Sequence, residues 1–333
     1  MEKVFITGAN GFIGSSLCKY LLDKGYDVFG LVRPGSDRHF LEGLPVKLVT
    51  GDLRRPDQID IPADLDFVIH SASVVSDQAG PKQCEAQIYQ LTVNLIERLG
   101  RLHCRPKRII YISTALTLGF GDLDISEAKP GRSAMFLAYT RAKKKTEEYL
   151  TARFREEALP VVILRPADVF GPQDRTSCAR ILRGFEKGVP MIVGHGDWFF
   201  GFCYIENLCL AAHLILLTPG IEGRTYTITN GQMITWRDFF TEIYKGLNKK
   251  QRVFVPVWLA MTAAALQQAV HKVIPRYKPE LSYYRIKRVT SHTTYDITPA
   301  VRDLGYRPDQ DAGRQIQSIV EWYLEEKRNG HIR

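Results

Sequence analysis

Short apolar runs and longer amphipathic stretches alternate along the first half of the chain. The apolar runs are Val4-Phe5-Ile6, Val28–Val32, Val46–Thr50, Phe67–His70, Arg108–Ser113 and Val161–Leu164. They do not alternate strictly between apolar and polar positions, which predicts strands buried on both faces. Helical patterns lie between most of them, notably Phe12–Leu22, Gln83–His103 and Leu137–Glu157. This alternation predicts an α/β fold with a parallel sheet, and right-handed crossovers make it doubly wound. Ligands of such folds sit at the carboxyl ends of the strands. A glycine turn after Ile6, Arg33, Asp52, His70–Ser73 and Ser113-Thr114 all fall at those ends.

The glycine turn reads Thr7-Gly8-Ala9-Asn10-Gly11-Phe12-Ile13-Gly14. Strand, glycine turn and helix in that order make a cradle for a pyrophosphate. Gly8 allows a tight turn, Gly11 lets the backbone approach the phosphates, and Gly14 lets the helix pack close to the strand. The spacing is G-x-x-G-x-x-G rather than G-x-G-x-x-G. After residue 172 the regularity fades into short elements punctuated by Gly188-Val189-Pro190, Gly194-His195-Gly196 and Thr218-Pro219-Gly220. The expected organisation is a dinucleotide-binding domain over 1–172, its sheet completed by later segments. A smaller α/β substrate-binding lobe over 173–333 completes the chain.

Composition narrows the picture modestly. The 333 residues are 45% hydrophobic and 24% charged, ordinary values for a soluble globular protein with a sizeable core. The net charge of +9 suits an anionic cofactor or an acidic surface, but the basic residues are spread and no nucleic-acid motif accompanies them. Cys18, Cys84, Cys104, Cys178, Cys203 and Cys209 form no C-x-x-C pair and have no clustered histidines. Neither a metal site nor a disulfide framework is expected, and free thiols fit a reducing cytoplasm. Residues 1–3 lead straight into a strand, and no apolar run is long enough for a transmembrane helix.

The chemistry concentrates in two places. Tyr139-Thr140-Arg141-Ala142-Lys143 sets a phenol and an ammonium four residues apart on a helix, hence on one face. A nearby ammonium lowers a phenol's pKa toward working pH and makes Tyr139 a candidate general acid–base. The bland alternative is a surface tyrosine beside a solvated lysine. Upstream, the strand that ends at Ser113-Thr114 supplies a hydroxyl donor for a substrate oxygen, or else a simple strand cap.

Together these pieces resemble the extended short-chain dehydrogenase/reductase superfamily, of the NAD-dependent epimerase/dehydratase type. The resemblance covers nearly the whole chain. It also rests on Gly51-Asp52-Leu53, His70-Ser71-Ala72-Ser73, Leu164-Arg165-Pro166, Phe170-Gly171-Pro172 and Tyr204-Ile205-Glu206-Asn207. It implies a Rossmann fold and a set of roles. Gly8, Asn10, Gly11, Phe12, Ile13 and Gly14 would hold the pyrophosphate. Asp52 and Leu53 would contact the adenine, Ala72 and Ser73 would line the way to the nicotinamide ribose, and Pro166 and Val169 would flank the nicotinamide. Tyr139 would transfer the proton, Lys143 would bind ribose hydroxyls and lower the Tyr139 pKa, and Thr114 would hydrogen-bond the substrate oxygen. The family places its catalytic Ser or Thr five residues before a glycine, which from Gly119 gives Thr114, with Ser113 its weaker neighbour.

The second strand carries no acid where one would hold a ribose 2′-hydroxyl. Val32 stands there and Arg33 follows, with Ser36 and Arg38 as further donors. A guanidinium pairs well with a phosphate, which favours NADP, with NAD the alternative. Arg33 stacked on adenine would suit either cofactor, and Asp37 in a bent loop would favour NAD.

Residues 223–240 and 296–306 look like the 3β-hydroxysteroid dehydrogenase branch, which includes sterol-4α-carboxylate 3-dehydrogenases. The expected activity interconverts a secondary alcohol and a ketone on a steroid-like or other lipophilic molecule. The alternative is a sugar-nucleotide epimerase, dehydratase or reductase. Ile88–Thr92 lacks the Asn and Gly of the N-V-x-G-T that such relatives often carry. A cofactor-sensing regulator without catalysis is a third class, opposed by the complete Thr114, Tyr139 and Lys143 set. The apolar segment 253–274 has Lys249, Lys250 and Arg252 before it and Arg276 and Lys278 after it. It reads either as a peripheral membrane contact or as a core helix covering the substrate lobe. A homodimer is expected through Gln83–His103 and Leu137–Glu157.

Overall fold

The computed structural model describes residues 1–133, 137–188, 192–250, 254–274, 276–277, 279 and 281–332. Val189, Pro190, Arg252, Lys278 and the first residue of the segment 253–274, named above, lie outside the described residues. All six predicted strands are present: β1 Lys3–Thr7, β2 Asp27–Val32, β3 Lys47–Thr50, β4 Phe67–His70, β5 Arg108–Ile112 and β6 Val161–Pro166. A seventh, β7 Thr225–Ile228, comes from the second half of the chain. Their order in space is β3-β2-β1-β4-β5-β6-β7, and every pairing is parallel. The order reverses between β1 and β4, and the crevice at that switch point receives the ligand in such sheets.

The unalternated apolar runs serve two cores. Successive residues of a strand point to opposite faces. Val4, Ile6, Phe67, Ile69, Ile110, Ile112, Val162 and Leu164 enter one cluster. Phe5, Val68, Ile109, Tyr111, Val161 and Ile163 enter the other. The first face is covered by helices Phe12–Asp23 and Ile205–Leu217, through Leu17, Leu21, Leu208, Ala211, Ala212 and Ile215. The second is covered by Gln90–Arg101 and Ala138–Glu157, through Leu95, Ile96, Leu99 and Leu150.

One predicted helix differs in detail. Gln83–His103 is an α-helical turn over Pro81–Cys84, a π-helical segment over Glu85–Tyr89 and an α-helix over Gln90–Arg101. The wider turn leaves both Ile88 and Thr92 buried, and Thr92 then meets His70 beneath the crevice. Past residue 228, helices Trp236–Gly246 and Ala312–Arg328 pack on each other, as do Val257–Val273 and Tyr283–Val289.

Candidate active site

At the end of β1 the backbone turns sharply, with Gly8 at φ +67°. A Cβ there would lie 2.9 Å from Ala72 Cα, so the turn lies directly against the segment after β4. Gly11 donates to the Gly8 carbonyl at 3.0 Å and caps the helix Phe12–Asp23 in an extended conformation. A Cβ on Gly14 would lie only 2.1 Å from Gly8 O, a distance that only glycine permits. The first helical turn has no acidic residue and no side-chain cap. Its N–H groups and the positive end of the helix therefore suit a pyrophosphate, and the residues present fit a dinucleotide. Phe12 and Ile13 pack their side chains against the core, so their contribution to phosphates is backbone.

The ribose side is organised by hydrogen bonds around β2. Asn10 Nδ2 donates to Asp37 O at 2.9 Å and ties the 33–38 turn to the glycine loop. Arg33 is exposed. Ser36 spends its hydroxyl on Arg33 O at 2.8 Å, within the turn itself. Asp37 accepts from Arg175 at 2.7 Å and from the His39 amide, which holds its carboxyl below the usual range. Asp52 is clasped by Arg54, whose Nε lies 2.9 Å from Oδ2; that hydrogen bond lowers its pKa, with a smaller pull from Arg33. Leu53 has its side chain in the core and its carbonyl on Asn94 Nδ2 at 2.6 Å.

The helix Ala138–Glu157 brings Tyr139, Lys143 and Glu147 to successive turns of one face. Tyr139 meets Thr114, whose hydroxyl favours the ionised phenol. Thr114 caps the 3₁₀ turn Ala115–Leu118. Ser113 turns the other way and donates to Glu147 Oε1 at 2.6 Å, which leaves Thr114 as the hydroxyl beside the phenol. Lys143 is buried; its Nζ donates to Ile112 O at 2.7 Å and lies 4.7 Å from the centroid of the Tyr111 ring.

Burial dominates the electrostatics of the Tyr139 and Lys143 pair. It pushes the Tyr139 phenol above its ordinary value; Tyr284 adds to this, and the Thr114 hydroxyl opposes it. Lys143 is itself brought down to about 7 by burial, against a restoring pull from Glu147. Its ammonium is desolvated and aimed at the main-chain carbonyl of Ile112.

Below the helix face, Glu147 accepts from Arg165 Nε at 2.8 Å and from Nη2 at 2.7 Å, and Arg165 also pairs with Glu127. Both Glu147 and Arg165 are buried, and the bidentate geometry is what makes such burial tolerable. Sequence reasoning did not single out this support. Its one signal was a glutamate four residues beyond Lys143, on the same helical face.

Sequence reasoning also missed the wall facing Tyr139. Tyr284 and Arg288 come from the helix Tyr283–Val289. Burial pushes Tyr284 up to about 12. Arg288 is buried, pairs with Asp168, lies 5.3 Å from the Phe120 ring centroid and leaves Nη1 without a hydrogen-bond partner among the described residues. Asp168 and Val169 form a short strand with Phe170, just after Pro166 ends β6. Ala72 and Ser73, half-buried, complete the crevice from the side of β4.

Comparisons with known proteins give the family and the fold. Residues 4–229 match the family described as "NAD dependent epimerase/dehydratase family". A 2-alkyl-3-oxoalkanoate reductase of Shewanella oneidensis is 27% identical, over 92% of this chain and 82% of that protein. A decarboxylating sterol-4-alpha-carboxylate 3-dehydrogenase of Candida albicans is 25% identical, over 98% of this chain and 99% of its own. UDP-glucuronic acid 4-epimerase from Bacillus cereus, solved with UDP-glucuronic acid and NAD, shares the fold. Its TM-score is 0.75 at 21% identity, over 97% of this chain and 99% of that one.

Proposed function

From the premise that this chain belongs to the NAD-dependent epimerase/dehydratase family of extended short-chain dehydrogenases/reductases, we propose that it interconverts a secondary alcohol and a ketone on a lipophilic molecule. The observation that carries the reading is the pairing of Thr114 and Tyr139 side chains, with Lys143 one turn further along the same helix, beside an open glycine cradle. The substrate oxygen sits between the two hydroxyls. Thr114 orients it, and Tyr139 gives the proton to a ketone or accepts it from an alcohol. A nicotinamide dinucleotide held by the glycine cradle would supply or take the hydride. Lys143, with one N–H on Ile112 O, turns its remaining donors to ribose hydroxyls, and Glu147 and Arg165 hold its helix against β6. Gly8, Gly11 and Gly14 hold the pyrophosphate, and Pro166 and Val169 flank the nicotinamide. Tyr284 and Nη1 of Arg288 offer polar contacts on the wall facing Tyr139.

The named relatives that act on an oxoalkanoate and on a sterol carboxylate support a lipophilic substrate. So does the helix Val257–Val273, whose outer stripe of exposed apolar side chains fits a membrane surface near the substrate lobe. Exposed Arg33, without a competing acid at Val32, favours NADP over NAD. Residues 1–172 act as the dinucleotide domain and 173–333 mainly as the substrate lobe. Two copies pair through the helices over 81–101 and 138–157. The test is absorbance of reduced cofactor when purified enzyme meets 3β-hydroxysteroids with NADP or with NAD. Turnover is expected with NADP, and Tyr139→Phe should lower kcat by about 10²–10⁴ with cofactor affinity unchanged. A Tyr139→Phe enzyme that keeps most of its rate removes the acid–base role. Silence of the cofactor-loaded native enzyme across the panel removes the lipophilic substrate.

A further inference from the structure

Away from the crevice, three metal-ligating side chains from distant parts of the chain converge: His39, Glu326 and His331. His39 opens a short 3₁₀ turn just beyond the ribose-side turn that follows β2, Glu326 is in the last turn of the helix Ala312–Arg328, and His331 follows that helix. His39 Nε2 lies 3.2 Å and His331 Nδ1 3.5 Å from the same oxygen, Glu326 Oε1. Donor atoms around a tetrahedral zinc, at bonds of about 2.0–2.1 Å, stand roughly 3.3 Å apart. We propose that His39, Glu326 and His331 form a three-ligand site for a divalent ion of the zinc class. Water takes the fourth position, and the ion clamps the C-terminal helix to the ribose-side loop.

The surroundings have the features that support a ligand set. A ligating histidine usually offers its second nitrogen to a carboxylate, and His39 Nδ1 lies 3.6 Å from Glu42 Oε2. A monodentate carboxylate needs its other oxygen held. Glu326 Oε2 accepts from Arg175 Nη2 at 3.3 Å, and Arg175 Nη1 reaches Asp37 at 2.7 Å. Asp37, Glu42 and Glu326 bring three carboxylates to this spot, two of them paired with the Arg175 guanidinium. The two imidazoles lie with centroids 4.2 Å apart, tilted by 56°, so that both reach one carboxylate oxygen from different directions. Two nitrogens and one oxygen suit zinc, cobalt or nickel better than calcium or magnesium. All six cysteines are buried free thiols, out of competition for added metal. Along the chain nothing announces the site, because His39 and Glu326 are 287 residues apart.

The test uses the full-length enzyme with its cofactor, stripped by chelator and titrated calorimetrically with zinc chloride. One ion per chain is expected, bound at least tenfold more weakly by His39→Ala and by His331→Ala. Both side chains are partly exposed, so the variants should fold, which their thermal midpoints without metal will check. Zinc should also slow amide exchange over residues 37–42 in the native protein. Absence of saturable binding, or equal affinity in native protein and both variants, means a histidine–carboxylate ion-pair cluster only and overturns the proposal. Binding that leaves exchange at 37–42 unchanged overturns the clamp.

Discussion

His70 is neutral in the fold, and its two nitrogens have fixed roles. The Ala72 amide donates to Thr7 Oγ1 at 3.2 Å, and that hydroxyl lies 2.7 Å from His70 Nδ1. On the other side Nε2 lies 3.0 Å from Thr92 Oγ1, which spends its own hydrogen on Ile88 O at 2.9 Å. The chain of donors assigns the proton to Nε2. Burial, helped by the charge of Lys143, lowers the imidazole from its ordinary 6.5 to about 3. Between those two values the unfolded chain binds a proton that the native one refuses, so stability is intact above 6.5 and falls as the pH drops toward 3. The loss attributable to this one residue is on the order of 5 kcal/mol at the acid limit. His70→Gln keeps a donor for Thr92 and removes the titration. Urea midpoints of the native protein and the His70→Gln variant should therefore converge from pH 7 toward pH 4. Parallel curves would show that His70 is not what makes the fold acid-sensitive.

At the scale of elements, the glycine turn ties strand, helix and cofactor cradle into one unit. A methyl at Gly14 would meet Gly8 O at 2.1 Å, Gly8 C at 2.8 Å and Ala9 Cα at 2.9 Å, all backbone atoms that cannot swing aside. Gly14→Ala must push the helix off β1, at a cost of roughly 1–3 kcal/mol. The displaced N–H groups should weaken cofactor binding by about tenfold or more. Gly100 is the contrast: it lies inside the helix Gln90–Arg101, and a methyl added there would have nothing within 4 Å. Gly100→Ala should stabilise by about 0.5–1 kcal/mol and leave cofactor affinity alone. Chemical denaturation with fluorescence titration of the cofactor separates the two. A Gly14→Ala protein of native affinity would mean that the phosphates are held elsewhere. This unit was legible in the sequence because its chemistry is local: apolar run, glycine spacing and helix follow one another within the first 23 residues. The Tyr139 and Lys143 face was legible for the same reason. Tyr284, Arg288 and Arg175 were not, because they reach the crevice or its ribose side from segments whose local pattern is merely a basic helix or a polar loop. The π-helical segment over Glu85–Tyr89 escaped as well, since a wider turn has no signature in hydrophobic period.

At the scale of the molecule, the question is what meets the helix Val257–Val273. Ala260 and Ala264 bury its inner face against Ile286. Its outer face carries Trp258, Leu266 and Val270, eight and four residues apart, with Trp258 69% and Leu266 64% exposed, and Val273 and Ile274 follow at its end. Small residues inside and large apolar ones outside invert the usual arrangement of a surface helix. Lys249, Lys250 and Arg276 flank it, and no helix among the described residues is long and apolar enough to cross a bilayer. A shallow contact fits all three observations: on an anionic bilayer Trp258 and Leu266 would enter the headgroup boundary while the flanking cations met the lipid charge. Each large side chain withdrawn from water contributes about 1.5–3 kcal/mol, enough for reversible attachment from two or three of them. The enzyme should therefore sediment with phosphatidylserine vesicles at low salt and less at high salt. The Trp258→Asp, Leu266→Asp double variant should stay in the supernatant yet turn over a water-soluble substrate at the native rate. Should the native protein ignore vesicles of either charge, the outer face is not a lipid contact, and the lipophilic substrate must reach the crevice from solution.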